Sequence, residues 1–307
     1  MSHTARKAFV GLPDLALFTT CLCWGLNFVI TKSATGGSPE QFRIFVFNII
    51  RFPVAAALLF ATMWLRGEPI RLKKQHYTWA ALLSFVGIFL YQLFYMIGQN
   101  LTQAANIGIV YGFTPLLILI ISILAKIERS TIFTIIGVIL GCFGLFIILF
   151  PGGRLTIDTG AFLMFIAIAC WASYAVFGKR ILEHYPPVTA TAWTLLFGSI
   201  FQLPLALWQL PDQQWSALSP LNILIVIVSA LFSLYIGYTL FFYAISRIGP
   251  SRAGVYANLT PVFTVFFASI IRHETVGMIH VLGLAVILAG IGLTKIPPRN
   301  RSERRAA

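Results

Sequence analysis

Acidic residues are few in this sequence. Nine Asp and Glu serve 307 residues, beside 22 Lys and Arg, and charged residues of both signs make up only 10%. All nine acids fall at or beyond the ends of apolar segments: Asp14, Glu40, Glu68, Glu128, Asp158, Glu183, Asp212, Glu274 and Glu303. Carboxylates at depth, as proteolysis, metal binding or a proton relay would use, are therefore missing. Cysteine is scarcer still. Cys21, Cys23, Cys142 and Cys170 all lie inside apolar runs. Two residues apart on a helix, Cys21 and Cys23 point to nearly opposite faces, a poor spacing for a metal, and no disulfide framework is implied. G-x-x-x-x-G-K-[ST], H-E-x-x-H and G-x-S-x-G are all absent, and His273-Glu274 lacks the second His of a zinc motif. The chain therefore does not drive itself with ATP, and the expectation is no enzyme activity, no cofactor and no metal.

Apolar residues are what is there. They make up 58% of the chain, and the mean hydropathy is +0.87. A soluble domain is nearer half apolar and a quarter charged. Hydrocarbon explains the excess, because a helix in lipid must be apolar on every face it shows. A span needs about 20 residues. Ten segments meet that need, near 14–33, 41–65, 78–98, 104–125, 130–150, 159–182, 187–210, 222–246, 252–272 and 276–296. They use up the length and leave no room for a separate soluble domain. Arg6 and Lys7 precede the first apolar stretch, which has the length of a full span and no A-x-A site. It reads as an uncleaved first helix.

The basic residues set the orientation. All of them lie on the side of the N-terminus, apart from Lys32, Arg43, Arg154 and Arg272 opposite and Arg51 within a span. Positive charge gathers on the cytoplasmic side, so both termini are expected there, as an even number of spans requires. The net charge of +13 is thus a topology signal that also favours anionic lipid heads. It is not a nucleic-acid footprint.

The two halves repeat. Cys23-Trp24, with Lys32 eight residues past the Trp, matches Cys170-Trp171 with Lys179, at an offset of 147. Thr114-Pro115 matches Thr260-Pro261 at 146, where Gly108 also meets Gly254, Glu128 meets Glu274, Gly137 meets Gly283 and Gly144 meets Gly290. Phe52-Pro53 meets Leu203-Pro204 only after a four-residue shift. Five spans per copy is an odd number, so the second copy sits upside down. Inverted repeats recur in secondary transporters, because two copies can exchange conformations to open either side. The fold expected is an all-α integral membrane protein of ten transmembrane helices, as two inverted five-helix repeats around a central cavity. The repeats span 1–152 and 153–298, followed by a basic cytoplasmic tail over 299–307. Gly137, Gly141 and Gly144 would allow close helix packing, within one chain or in a homodimer.

Candidate site residues follow from helical faces and depth. Thr20, Trp24, Asn27 and Thr31 share one face of span one, at steps of four, three and four. Span six places Trp171 and Tyr174 at the positions matching Trp24 and Asn27. Tyr91, Tyr95, Tyr111, Tyr235, Tyr238 and Tyr256 also lie deep, with Asn258 near the last of them. Trp79, Trp208 and Trp215 lie near span ends, where interface belts explain them. The deep set suits a substrate with an aromatic ring or a cationic head; Tyr hydroxyls bonding between helices is the other reading. Arg51 is open in the same way. It has the fork to hold a carboxylate or phosphate, or backbone carbonyls and Asn48 could neutralise it. Pro115 and Pro261 free the carbonyls of Tyr111 and Ala257, as hinges or as packing kinks.

Trp24-Gly25-Leu26-Asn27-Phe28, Arg51-Phe52 and the string Gly108, Thr114-Pro115 and Glu128 resemble the drug/metabolite transporter superfamily, in particular its ten-helix EamA-like members. Gly249-Pro250-Ser251-Arg252-Ala253-Gly254, Thr260-Pro261 and Glu274 repeat the pattern. The resemblance covers nearly the whole chain. It implies a bacterial inner-membrane carrier of amino acids, other metabolites or drugs, often moved outward. Ile127 and His273 stand where such relatives usually show Gly before the acid. The expected function is a secondary transporter of small metabolites, exporting amino acids or related compounds, aromatic ones included, by alternating access. The substrate-binding set is then Trp24, Asn27, Arg51, Tyr95, Tyr111, Trp171, Tyr174, Tyr238, Tyr256 and Asn258. The alternatives are a drug or cationic-compound exporter and, in another class, an intramembrane lipid-modifying enzyme or a scaffold.

Overall fold

A computed structural model describes residues 11–102, 110–128, 130–149, 158–272 and 278–296. Gly108, Arg154, His273, Glu274 and the 299–307 tail lie outside the described residues. The first half holds α1 (Leu12–Ala34), α2 (Ile44–Leu65), α3 (Lys74–Ser84, continuing to Leu101), α4 (Thr114–Leu124, with a turn before it from Val110) and α5 (Ile132–Leu149). The second holds α6 (Thr159–Leu182), α7 (Pro187–Gln209), α8 (Pro220–Val228, continuing to Ile248), α9 (Pro250–Tyr256, then Leu259–Arg272) and α10 (Met278–Thr294). Seven of these run long and apolar enough to cross a bilayer by themselves; α4, α5 and α10 are shorter and equally apolar. Large apolar side chains stand outward along them, such as Leu124, Phe143 and Trp208. Lipid is the solvent in which such a surface is stable.

The packing is reciprocal between the halves. Helix α1 lies against α8 and α9, and its counterpart α6 lies against α3 and α4. Helix α2 packs on its own counterpart α7, and α5 on α10. Each half thus supplies the partner surfaces of the other.

Glycine makes the α5–α10 seam. A Cβ on Gly137 would stand 2.5 Å from the Gly290 carbonyl oxygen, and one on Gly144 would stand 2.8 Å from that of Gly283. These are the four glycines that the repeat offset pairs. They let two helices meet backbone to backbone, where van der Waals packing holds helices together in lipid. The close packing expected of α5 is therefore within one chain.

Two helix pairs are irregular at matching places. Phe85–Leu90 in α3 and Ser229–Tyr238 in α8 are π-helical. Such wide turns loosen the backbone ladder and favour functional sites. The other pair is α4 and α9. Phe113 bonds back only to Val110, and Ala257 and Asn258 only to Gly254 and Val255, each three residues away. Pro115 and Pro261 follow these breaks, inside the first turn of the next helical stretch. They therefore mark interruptions just upstream of themselves rather than kinks at their own positions.

Ile127 does not prevent a tight turn after α4. Lys126 takes the left-handed conformation, φ 55°, that a glycine usually supplies. Ile127 N–H then donates to Ser122 O at 3.0 Å, which closes the helix end. The turn aims Glu128 at the start of α9, where its carboxylate accepts from Ser251 N–H at 2.8 Å.

Candidate binding site

Helices α1, α3, α6 and α8 bring an aromatic cluster to the middle of the bundle. Trp24 meets Trp171 edge to face, centroids 5.4 Å apart. Both touch Tyr238, at 5.9 and 5.4 Å, and Phe241, at 5.3 and 5.6 Å. Tyr91 lies 5.5 Å from Trp171 and stacks on Tyr95, which meets Tyr111 edge to face. The hydroxyls of Tyr91 and Tyr111 share a hydrogen bond of 2.5 Å. Pairs of this kind are worth about 0.5–1.5 kcal/mol each beyond burial. Tyr91, Tyr95 and Tyr111 are half-buried.

The π-helical turn of α8 positions Trp24. Its indole Nε1 donates to the carbonyl of Ser233 at 3.1 Å. Gly237 leaves room for the ring: a Cβ there would stand 2.6 Å from Nε1.

Beside the aromatics runs a polar chain. Arg51 is 7% exposed on α2. Its Nε donates to Asn48 Oδ1 at 3.0 Å, and its Nη1 to Ser229 Oγ at 2.9 Å. The Ser229 hydroxyl donates in turn to Asn27 Oδ1 at 2.6 Å, one turn along α1 from Trp24. Asn48 Nδ2 donates to Gln202 Oε1 at 2.9 Å and to Gln92 Oε1 at 3.4 Å. Phe47 and Phe52 flank the guanidinium at 5.1 and 5.2 Å. Among the described residues the ion pairs are Arg66–Glu68 and Lys295–Asp14, so Arg51 pairs with no carboxylate there.

The structure therefore brings together Trp24, Asn27, Arg51, Tyr95, Tyr111, Trp171 and Tyr238. Tyr174 joins them by its ring, which stacks on Trp171 at 5.4 Å, while its hydroxyl points elsewhere. Its ring stacks on Phe242 at 4.9 Å, its hydroxyl meets Thr194 Oγ1 at 3.0 Å, and it lies on Gly87. Tyr256 lies elsewhere, at the end of the bundle where α1 begins, with its hydroxyl on Asp14. Asp14 also pairs with Lys295 at 3.1 Å, so one carboxylate ties α1 to α9 and α10. Asn258, in the break of α9, packs against Gly141 of α5.

Gln92, Gln202, Ser229 and Phe241 belong to the constellation and escape a reading by helical face. Gln92 lies on α3, Gln202 on α7 and both Ser229 and Phe241 on α8, and only packing connects them with α1, α2 and α6. An Asn three residues before Arg51 is the signal that leads into the chain.

The EamA-like transporter family matches twice, over residues 11–150 and 158–296. The chain belongs to that family. It is a multi-pass membrane transporter and not an enzyme. Among its relatives is the uncharacterized transporter YetK of Bacillus subtilis, 26% identical over 87% of this chain and 83% of that one. An uncharacterized transporter of Archaeoglobus fulgidus is 28% identical over 90% of this chain and 96% of its own. The threonine/homoserine exporter RhtA of Salmonella typhimurium is 30% identical over about half of each chain, 52% and 54%. A solved crystal structure, 20% identical, superposes with a TM-score of 0.74 over 92% of this chain and 97% of that chain. At that identity it speaks to the fold alone.

Proposed function

We propose that the protein exports amino acids or related small metabolites, aromatic ones included, by alternating access between the two halves. The observation behind this reading is the Trp24–Trp171 contact. The matching aromatic residues of two inverted repeats meet at the centre, next to half-buried tyrosines and a buried arginine. A flat ring finds faces to stack on, and a polar head finds amides and a cation. The partial likeness to an exporter named for threonine and homoserine points to the same substrate class.

The distribution of Lys and Arg supports cytoplasmic termini, and the likeness to bacterial transporters supports a location in the inner membrane of a bacterium. Deep carboxylates are absent among the described spans, which favours facilitated diffusion or exchange over proton antiport. A drug or cationic-compound exporter is the second reading, and the tyrosine and tryptophan faces favour it.

Uptake into proteoliposomes tests the proposal. A labelled amino-acid mixture that includes Trp, Tyr, Phe and Thr should enter saturably without an imposed proton gradient, against empty liposomes. Trp24→Ala together with Trp171→Ala should abolish it. Unchanged uptake in that double variant would remove the aromatic cluster as the site. No uptake of any amino acid, with or without a pH gradient, would turn attention to cationic compounds.

A further inference from the structure

We propose that Arg51, held by Asn48 and Ser229, is the subsite for a carboxylate of the substrate, so that a free carboxylate is required of whatever is carried. The inference rests on the export reading above and narrows it to one chemical class.

The first ground is charge. Arg51 is buried and stays protonated, and its flanking groups are neutral: one amide, one hydroxyl and two phenyl rings. A lone cation in a membrane interior is expensive, and neutral dipoles offset only part of that. A bound anion would supply the missing charge.

The second ground is donor arithmetic. A guanidinium has five N–H groups in a rigid fork. Two are used, by Asn48 Oδ1 and Ser229 Oγ. Three are left, and a carboxylate takes two in parallel.

The third ground is orientation. Asn48 presents its oxygen to Arg51 because its nitrogen is engaged by Gln202 and Gln92. Gln202 is fixed in turn, its Nε2 donating to Gly198 O at 3.2 Å. Ser229 can only accept from Arg51, because its own proton goes to Asn27. Every partner is locked so that the fork is held and not consumed. Such supported placement is what a binding group needs.

The last ground is the repeat. Helix α7 is the counterpart of α2 and packs directly on it, yet Pro187–Gln209 contains no charged residue. A helix in this place folds and packs without a cation. The charge on α2 therefore answers to something other than the fold. Its link through Ser229 to Asn27, one turn along α1 from Trp24, places it beside the aromatic cluster.

The test compares probes that differ only at the carboxylate. Phenylalanine, phenylalaninamide and phenethylamine form one trio; threonine, threoninamide and 1-aminopropan-2-ol form the other. Thermal protection of the detergent-purified protein and flux into proteoliposomes are read for each. In the wild type the acid of the preferred trio should act at least tenfold more strongly than its amide and amine. Arg51→Gln should erase that discrimination, and Arg51→Lys should keep part of it. If Arg51→Gln does not fold, Ser229→Ala keeps the charge, loses one anchor and should lower the discrimination several-fold. Amide and amine acting as well as the acid would overturn the subsite, as would Arg51→Gln discriminating like the wild type. Transport of the amines alone would sink the subsite and leave the transporter reading standing. A wild type inert to every probe in both measurements would overturn the subsite and the amino-acid reading together.

Discussion

Lys126 and Gly249 both hold positive φ, and they answer differently to substitution. Lys126 sits at φ 55° with a side chain that gains nothing visible from the conformation. An L-residue in the left-handed region is about 1–2 kcal/mol worse off than in the right-handed one, whereas Gly loses mainly about 0.5–1 kcal/mol in unfolded-chain entropy. Lys126→Gly should therefore stabilise the protein by roughly 0.5 kcal/mol, seen as a small rise in melting temperature in detergent. Gly249 is the opposite case. Its φ of 84° and ψ of 160° fall in a region that is essentially glycine's alone, and a Cβ there would run into the Glu128 carboxylate that caps α9. Gly249→Ala should destabilise by about 1–3 kcal/mol in the same melt. Adding Glu128→Ala should not restore stability, because the backbone strain and the lost cap both remain.

Among the helices, the α5–α10 seam depends most strictly on its sequence. The atoms that a side chain would strike at Gly144 are the Gly283 carbonyl oxygen and the Ile287 amide nitrogen, each at 2.8 Å. Backbone cannot step aside as a side chain does. Gly144→Val should therefore push α5 off α10 and lose folded protein, read as monodisperse yield after size exclusion. At Gly292 on α10, an added Cβ would meet nothing within 4 Å. Gly292→Ala should be tolerated and gain up to about 1 kcal/mol in helix propensity. A Gly144→Val protein that purifies and melts like the wild type would mean the seam is not needed for the fold. The seam's glycines are visible in the sequence because the repeat offset pairs them. Their partners are not, since spacing along one helix does not name the helix opposite. The helical breaks show the same limit. Proline marks that α4 and α9 are interrupted, but the turn that opens lies two to four residues earlier, where the lost donor leaves the ladder slack.

At the scale of the whole molecule, symmetry carries more than either half alone. The family resemblance, the ten spans and the inverted repeat are legible in the chain because hydrocarbon demands long apolar helices and duplication keeps its register. Trp24, Trp171, Asn27 and Arg51 are legible too, as polar or aromatic groups where lipid allows few. Tyr256 and Asn258 look central by depth count, yet the hydroxyl of Tyr256 reaches Asp14 at the start of α1 and Asn258 packs against Gly141 of α5. The two tryptophans are where the symmetry is unequal. Trp24 donates its indole proton to Ser233 O in the π-helical turn of α8. Counted at the 146-residue offset of α4 and α9, the counterpart of Ser233 is Gly87 in the π-helical turn of α3, and Gly87 lies under Tyr174. If the halves exchange conformations, the opposite state has the Trp171 bond and lacks the Trp24 one. Trp24→Phe should then weaken the state seen here, and Trp171→Phe the other. One buried hydrogen bond is worth about 1 kcal/mol, or about a fivefold change in the ratio of states. Single cysteines placed at the two ends of the bundle, read by the rate of thiol labelling, should shift in opposite directions in the two variants. Shifts in the same direction, or none in either, would mean that the tryptophans are packing aromatics and that the two halves do not trade places through them.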